Sequence, residues 1–331
     1  MFIGVKKILI YSGADQIGDG IIKISFLYYL RKEFPNDKII WMSNLGTVYK
    51  KELNFYIKNY IDEIWDNVEL NFFPWQKISN NYPLEEENFD LIIDTRRLIK
   101  ETLILKRIKT KHFISSCSNW FFSTIRPKEK KRIKQYYLNE LLELISLYTG
   151  NKIVNNFVIE IPEFLEKKLS TCFLNDTKYI GFAPGAGLEK KIWNIENYIN
   201  LAKYFQKKNY KIVFFLGPLE QKLKQKLNKS IKEIIYPEDI FNELSGIQVV
   251  MGSTKFLDCV ITNDSGTSHM LSTNLCHVIK LFGKSNGKKF TPKHLDKIHS
   301  ISANSSASED INSISLEQVI KKVESIILTK A

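Results

Sequence analysis

The segment Asn263-Asp264-Ser265-Gly266-Thr267-Ser268-His269 has the residue types of an anion-binding turn. It directly follows the apolar stretch from Leu257 to Thr262 and runs on into Met270-Leu271, a pattern typical of a strand, a tight turn and the first turn of a helix. Free backbone N–H groups and the positive end of the helix dipole make such a turn a site for a phosphate or another anion. Alternatively, Asp264 or Ser265 only caps the helix.

A carboxylate in the first loop of the chain is a candidate general base. The loop runs from Gly13 to Gly20, lacks the Gly-x-Gly-x-x-Gly fingerprint of dinucleotide-binding folds, and has Asp19-Gly20 where a P-loop requires Lys followed by Ser or Thr. Asp19 lies between Gly18 and Gly20 at the predicted start of a helix, where an ionised carboxylate can accept a proton from an alcohol. Capping of this helix is the alternative role.

Two loops in the second half of the chain have residues suited to a nucleotide. The first runs from Ala183 to Trp193; its small residues let the backbone approach a ligand, and Lys191 can pair with phosphate as a point charge. We expect Trp193 to fix this loop against the fold. In the second loop, Glu220 follows Gly217-Pro218 and can accept hydrogen bonds from ribose hydroxyls. Glu220 can equally be a favourable residue of a helix first turn.

These loops alternate with predicted strands and helices. The first half has strands at Lys7–Tyr11, Lys38–Met42, Glu63–Trp65, Phe89–Asp94 and Lys111–Ser115, and helical patterns over 21–34 and 128–150. The second half has strands at 178–183, 211–216, 260–262 and 277–282, and helices over 194–208, 220–228 and 316–328. This alternation predicts an α/β fold of two doubly wound parallel halves, with ligands at the carboxyl ends of the strands.

Composition favours a folded enzyme with an anionic partner. The 331 residues are 44% hydrophobic, enough for the cores of two domains, and the net charge of +12 suits a nucleotide, a phosphorylated glycan or an acidic membrane. No apolar run approaches the roughly 18 residues of a membrane span, and the N-terminus leads straight into a strand, so we expect a cytoplasmic protein. The cysteines and histidines have neither disulfide nor zinc-site spacing, and nucleic-acid recognition motifs are missing.

Taken together, the motifs resemble glycosyltransferase family 9, the ADP-heptose:lipopolysaccharide heptosyltransferases. The segments that match, in order, are Gly18-Asp19, Pro184-Gly185-Ala186, Lys191-x-Trp193, Gly217-Pro218-x-Glu220, 263–269 and Leu281-Phe282-Gly283. The resemblance implies a GT-B fold of two Rossmann-like domains facing across a cleft. It places an acceptor-binding domain at 1–160, a donor-binding domain at 176–312, and a C-terminal segment, 313–331, whose helix packs back on the first domain.

The resemblance also implies roles for individual residues. Asp19 would be the catalytic base, and Lys191 the catalytic cation beside the donor phosphates. The remaining donor-binding residues would be Gly18, Ala186, Gly187, Glu220, Asp264, Ser265, Gly266 and His269. Because the sequence has no Asp-x-Asp pair to hold a divalent cation, we expect neither metal nor cofactor, and lysine and backbone amides would stabilise the departing diphosphate.

The expected reaction is an inverting transfer of heptose from ADP-heptose to the lipopolysaccharide core. The expected partners are thus a nucleotide-sugar donor and an anionic glycolipid or oligosaccharide acceptor, with peripheral contact at the cytoplasmic face of the inner membrane and no nucleic acid. One alternative is a GT-B glycosyltransferase with another nucleotide-sugar donor, serving capsule or another surface glycan. A second alternative is a non-catalytic relative that binds a nucleotide or a glycan.

Overall fold

A computed structural model describes residues 4–128, 136–284, 287, 291, 295–303 and 310–327. The chain divides into two compact units, Met1–Phe157 and Val158–Ala331. The division falls in the segment where the helical and strand patterns weaken. Residues 158–175, which include the helix Glu163–Leu169, belong to the second unit.

The first unit is built on a five-stranded parallel sheet. Its strands are β1 (Lys7–Asp15), β2 (Lys38–Thr47), β3 (Glu63–Trp65), β4 (Asn88–Asp94) and β5 (Lys109–Ser115), in the order β3-β2-β1-β4-β5. Its helices are Ile17–Glu33, Asn54–Ile57, Ile99–Leu105 and Tyr137–Thr149. The strand order reverses between β1 and β4, and ligands of doubly wound folds bind at the carboxyl ends of the strands at such a point.

The second unit repeats this plan with six strands. They are β6 (Tyr179–Ala183), β7 (Lys211–Phe214), β8 (Ile234–Ile235), β9 (Cys259–Asn263), β10 (His277–Phe282) and β11 (Ile298–Ser302), in the order β11-β10-β9-β6-β7-β8. Its helices are Glu163–Leu169, Ile195–Gln206, Lys224–Ser230, Pro237–Ile240, Gly246–Ser253, Gly266–Leu271 and Leu316–Ile327. The order reverses between β6 and β9, which predicts that this unit binds its ligand there.

Both faces of the second sheet are covered, which explains the nearly continuous apolar runs of its strands. β6 and β9 are buried along their whole length. One face contributes Phe182, Ile261 and Ile279 to a core shared with the helix Ile195–Gln206, and the other contributes residues such as Val260 and Val278. The predicted apolar face of this helix is confirmed, because Tyr198, Leu201 and Phe205 are buried on it.

The last helix, Leu316–Ile327, has its apolar face in the second unit. Val319, Val323 and Ile326 are buried in the core of the second unit, with Trp193 and the helix Ile195–Gln206. The physical reason is that this amphipathic helix covers one face of the second sheet, which would otherwise expose apolar side chains to water.

Other differences concern element boundaries. The helix predicted over 128–150 is described from Tyr137 to Thr149, and 129–135 lie outside the described residues. After Glu220, a short 3-10 turn precedes the helix Lys224–Ser230. The polar residues 300–313, whose composition predicts a surface loop, begin inside β11, and 304–309 also lie outside the described part of the chain. None of the described helices is long and apolar enough to cross a membrane.

Candidate active site

A buried asparagine holds together the two loops at the β6/β9 reversal. Asn263 ends β9, and its side-chain amide donates a hydrogen bond to the Pro184 carbonyl just after β6, at 2.6 Å. Its Oδ1 accepts from the Trp193 backbone N–H and from the Tyr198 hydroxyl. The indole of buried Trp193 donates to the Ile314 carbonyl, so this residue fixes the loop against the fold as predicted. Sequence reasoning did not single out Asn263 as a site residue, although a polar side chain ending an apolar strand was visible.

Lys191 and Asp264 form an ion pair between these two loops. Lys191 Nζ lies 2.6 Å from Asp264 Oδ2; the lysine side chain is 32% exposed and the carboxylate 7%. Lys191 ends a 3-10 turn, Glu189–Lys191, so its long side chain extends from the loop toward the turn after β9. A phosphate arriving here would meet a lysine that is reachable from solvent and already oriented.

The turn after Asp264 is a helix N-terminus with a reciprocal cap. The Ser265 hydroxyl accepts from the Ser268 backbone N–H, and the Ser268 side chain accepts from the backbone N–H of Ser265. Ser265 therefore caps the helix Gly266–Leu271, while Asp264 pairs with Lys191 instead. His269 lies on this helix; burial lowers its pKa well below the ordinary value, and the charges of Lys280 and Lys191 lower it further. The imidazole is thus neutral near pH 7.

Glu220 packs against two glycines of this edge. A Cβ atom on Gly185 would lie 2.7 Å from the Glu220 carboxyl carbon, and one on Gly217 would lie 2.7 Å from its Oε2. The absence of side chains at both positions lets Glu220, which follows β7, reach the loop after β6. Ala186 and Gly187 continue that loop and are half-buried and exposed, respectively.

The structure thus gathers the predicted residues of the second half at one edge of one sheet. They all follow the carboxyl ends of β6, β7 or β9, and they are Ala186, Gly187, Lys191, Glu220, Asp264, Ser265, Gly266 and His269. This edge combines a cation, a helix N-terminus and a carboxylate, which are the groups that bind a nucleoside diphosphate.

Asp19 lies in the first unit, in the first turn of the helix Ile17–Glu33, with Gly18 beside it. The helix is preceded by Gln16, so Asp19 is not the capping residue. Its side chain is exposed, and the described part of the chain supplies it with no hydrogen-bond partner. An exposed carboxylate at the carboxyl end of β1 has the accessibility that a general base requires.

A second carboxylate, Asp15, ends β1 four residues before Asp19 and has a different role that the sequence did not reveal. It is buried, and one oxygen accepts from Lys23 Nζ at 2.7 Å. The other oxygen accepts from the Trp41 indole and the Thr47 hydroxyl, both at 2.9 Å. Because its acceptor sites are filled, Asp15 holds the loop in place, and Asp19 is the carboxylate left to face solvent.

Arg96 is a further residue that sequence reasoning missed. It follows β4, and its side chain packs against Gly13, where an added Cβ would lie 2.7 Å from Arg96 Nε. Gly13 has a φ of +77°, which favours glycine. The available signal was the pair Arg96-Arg97 directly after a buried strand. This guanidinium gives the loop of Asp19 a positive neighbour at the β1/β4 reversal.

Comparison with known proteins places the chain among glycosyltransferases. A family model described as glycosyltransferase family 9 (heptosyltransferase) matches residues 81–320. Lipooligosaccharide heptosyltransferase 2 of Campylobacter jejuni subsp. jejuni serotype O:6 is 23% identical over 281 residues, which are 83% of this chain and 80% of that relative.

Solved structures show the same fold. A glycosyl transferase family 9 protein from Veillonella parvula has a TM-score of 0.73 at 20% identity, covering 99% of both chains. The E. coli ADP-heptose lipopolysaccharide heptosyltransferase II has a TM-score of 0.71 at 17% identity, covering 98% of this chain and 99% of that one. The two parallel sheets with their helices match these GT-B structures, which confirms the predicted fold class. With the family model matching most of its length, the chain belongs to glycosyltransferase family 9 and is a glycosyltransferase.

Proposed function

We propose that this protein transfers heptose from ADP-heptose to a lipopolysaccharide or lipooligosaccharide acceptor, with inversion at the sugar C1 and without a metal ion. The observation that carries the proposal is the Lys191–Asp264 pair beside the helix Gly266–Leu271 at the β6/β9 reversal. The names of similar proteins support the sugar and the acceptor, since they include a lipooligosaccharide heptosyltransferase and an ADP-heptose heptosyltransferase.

The leaving group is the nucleoside diphosphate. Lys191 pairs with its phosphate oxygens, and the backbone N–H groups after Asp264 donate to them, so negative charge is stabilised as the bond to C1 breaks. The Glu220 carboxylate accepts hydrogen bonds from the ribose hydroxyls. Neutral His269 adds a hydrogen-bonding side chain without a further charge.

The nucleophile is a hydroxyl of the acceptor. Asp19 accepts its proton while the oxygen attacks C1 on the face opposite the leaving diphosphate, which inverts the configuration. The exposure of Asp19, in contrast to buried Asp15, supports this assignment.

The base role is tested by Asp19→Asn. We expect the variant to bind ADP with unchanged affinity and to lose about 100-fold or more in turnover, the usual scale for removal of a general base. Glu33→Gln, at the other end of the same helix, is the matched control and should retain full turnover. Undiminished turnover in Asp19→Asn would refute the role of Asp19.

The donor is tested by thermal unfolding with ADP, UDP, GDP and CDP, each with magnesium or with EDTA. Selective stabilisation by ADP that persists in EDTA is the expected result. A preference for another nucleotide would favour a transferase of capsule or another surface glycan. Nucleotide binding without transfer to any acceptor would favour the non-catalytic alternative.

We further propose that the first unit contacts the cytoplasmic face of the inner membrane through an aromatic patch, defined as Phe72, Phe73, Trp75, Ile99 and Leu103. All five side chains are exposed, Trp75 to 79%, and the rings of Phe73 and Trp75 stack with centroids 4.9 Å apart. Lys100 Nζ lies 5.6 Å from the Phe72 ring centroid, which joins the aromatic loop to the helix Ile99–Leu105.

The chemistry of the aromatic patch fits an anionic lipid bilayer. Aromatic side chains are favoured at the interface between headgroups and acyl chains, and each nearby lysine or arginine is attracted to anionic lipid. Lys100 and Lys77 are exposed beside the aromatic patch, and Arg107 donates to the carbonyls of Asn71 and Pro74, which holds the aromatic loop in its conformation. The net charge of +12 acts in the same direction.

Vesicle sedimentation tests this contact. We expect the full chain to bind vesicles containing anionic lipid, and the double variant Phe73→Ser/Trp75→Ser to lose binding while still acting on a water-soluble acceptor. Leu219→Ser, an equally exposed apolar residue of the second unit, is the control and should still bind. The membrane contact would be contradicted if the double variant bound vesicles as well as the wild type does. It would also be contradicted if dimerisation in solution covered the aromatic patch.

A further inference from the structure

Lys280 is a buried lysine to which the described residues offer no hydrogen bond. It lies in the middle of β10, its exposure is 0%, and its Nζ makes no hydrogen bond within the described residues. Its neighbours along the strand, Ile279 and Leu281, are apolar. A buried ammonium without a partner is costly, and such groups in native proteins call for a functional explanation.

The strand register puts Lys280 beside the donor site. Lys280 is paired with Thr262 of β9, and the next residue of β10 is paired with Asn263, so Asp264 follows at the same edge of the sheet. Alternation along β10 places Lys280 on the same face as Val278, the face that the helix Gly266–Leu271 covers with Leu271. Lys280 thus lies beneath the turn that we assign to the donor diphosphate.

Among the residues that the structure describes, two titratable groups face Lys280. The first is Asp264, after β9, whose charge favours the protonated form of Lys280. The second is His269, on the helix that covers Lys280. On β11, Lys280 is paired with Ser300, which carries no charge. His277 and His299 contact each other on the opposite face of the sheet. Burial lowers the pKa of Lys280 from 10.5 to about 7, against the attraction of Asp264, so the lysine gains or loses a proton under physiological conditions.

The charges around Asp264 show why a proton on Lys280 would affect binding of the diphosphate. In the structure Lys191 is paired with Asp264, so these two charges cancel, and His269 is neutral. A diphosphate that takes Lys191 leaves Asp264 as an uncompensated buried anion beside a second anion. One more positive charge next to Asp264 removes this conflict.

We propose that Lys280 is a positioning residue for the donor: when the diphosphate binds, the neutral Lys280 amine takes up one proton from the solvent and becomes the counter-charge of Asp264, which frees Lys191 for the phosphates. The inference rests on the proposed function, because it assumes that the diphosphate binds at Asp264 and Lys191. In this role Lys280 acts through Asp264 and does not itself contact the ligand.

Calorimetric titration with ADP tests the proposal. Binding heats measured at about pH 8 in two buffers of different ionisation enthalpy give the number of protons taken up. We expect proton uptake by the wild-type protein, and an affinity for ADP that falls about tenfold per pH unit above about pH 7, the limit for one linked proton. The terminal phosphate of ADP also titrates, at about pH 6. The decisive quantity is therefore the difference between wild type and variant in the number of protons taken up when ADP binds.

Lys280→Met is the test variant, and Lys211→Met, an exposed lysine of β7 paired with Glu233, is the control. Lys280→Met should bind ADP about tenfold more weakly at about pH 7, with no proton uptake beyond that of ADP itself and a flat pH profile. Lys211→Met should behave as wild type. Lys191→Met should bind weakly and take up fewer protons than wild type, because Asp264 without Lys191 already favours the protonated form of Lys280.

The outcomes separate this inference from the proposed function. If ADP binds and the wild type takes up no proton at about pH 8, or if Lys280→Met takes up as many protons as wild type, the role of Lys280 is wrong and the donor site stands. If the wild type does not bind ADP at all, the proposed function is wrong and this inference falls with it. If Lys280 had only a structural role, Lys280→Met would change thermal stability but neither ADP affinity nor proton uptake. The wild-type measurement decides the question even if Lys280→Met does not fold.

Discussion

At the scale of single residues, side chains of the same type differ in role because they differ in burial. Asp15 and Asp19 are four residues apart, yet Asp15 is saturated with donors and Asp19 is exposed. Lys191 is half-exposed and paired, whereas Lys280 is fully buried and lacks a hydrogen bond in the described part of the structure. Residue type alone therefore did not specify function, because solvent access and partners determine which groups can react.

The first prediction concerns Lys191 and its neighbour Lys190, both in the 3-10 turn Glu189–Lys191. Lys191→Met removes a charge-assisted contact to phosphate, so we expect ADP affinity to fall about tenfold, corresponding to roughly 1.4 kcal/mol. Thermal stability in the absence of ligand should also fall, since the Asp264 carboxylate is only 7% exposed and loses its partner. Lys190→Met is the control, because Lys190 is exposed, and equal losses in both variants would contradict a specific role for Lys191.

The second prediction concerns the stability of Lys280→Met. The lysine has a pKa of about 7 in the folded protein and 10.5 in the unfolded chain, so between these values the unfolded chain binds more protons and the free energy of unfolding rises with pH. Below about pH 7 both states are protonated, and the full penalty of burying the charge remains. Lys280→Met removes the penalty.

Thermal unfolding should therefore show a higher Tm for Lys280→Met than for wild type, with a larger gain at about pH 6 than at about pH 9. Lys211→Met should show no such gain, because Lys211 is exposed and paired. A gain of equal size at both pH values would mean that packing rather than charge sets the stability of this site.

At the scale of elements, the proposed donor site depends on close approach between loops. Gly185 and Gly217 leave the space that Glu220 occupies, and Asn263 ties the turn after β9 to the loop after β6. These contacts join segments far apart in sequence; Lys191 and Asp264 are 73 residues apart. The loops are held by specific contacts rather than by their own conformational preferences.

The third prediction tests this close contact between loops with Gly185→Ala. The new Cβ would meet the Glu220 carboxyl at 2.7 Å, so the glutamate must move, and we expect ADP affinity to fall severalfold. Gly187→Ala has open space around it and should leave the fold undisturbed. In the double variant Gly185→Ala/Glu220→Ala, the second change should cost less than Glu220→Ala does alone, because the two residues are in contact. Strict additivity would show that the effect of Gly185→Ala does not pass through Glu220.

At the scale of the whole molecule, the two units place different groups after equivalent strands. In the first unit an exposed carboxylate, Asp19, lies in the helix that follows β1; in the second, a lysine and a helix N-terminus follow β6 and β9. The last helix belongs to the second unit, where its apolar face completes the core.

The fourth prediction is that ADP protects amides of the second unit only. In hydrogen exchange of the full chain, we expect slower exchange in 183–193 and 263–271, and unchanged exchange in 12–20, since bound ligand suppresses local opening around its site. Slower exchange in 12–20 without any change in 263–271 would place the nucleotide in the first unit and contradict the proposed donor site.

The sequence alone determined the α/β class, the two successive halves, the family, and the loops that follow β1, β6, β7 and β9. It could do so because hydrophobic periodicity fixes strands and helices, and the carboxyl ends of parallel strands share one edge, so loops after strands can be assigned to a common site. The predicted face of the helix Ile195–Gln206 and the anchoring role of Trp193 follow from the same local rules.

Only the tertiary structure decided which partner each polar group has. The pairing of Lys191 with Asp264, the saturation of Asp15 by Lys23 and Trp41, and the burial of Lys280 depend on distances between segments that periodicity does not encode. The last helix shows the same limit, because its amphipathic pattern predicts a buried face but not the surface that buries it. Local sequence thus sets the elements, and the long-range packing of side chains sets their chemistry.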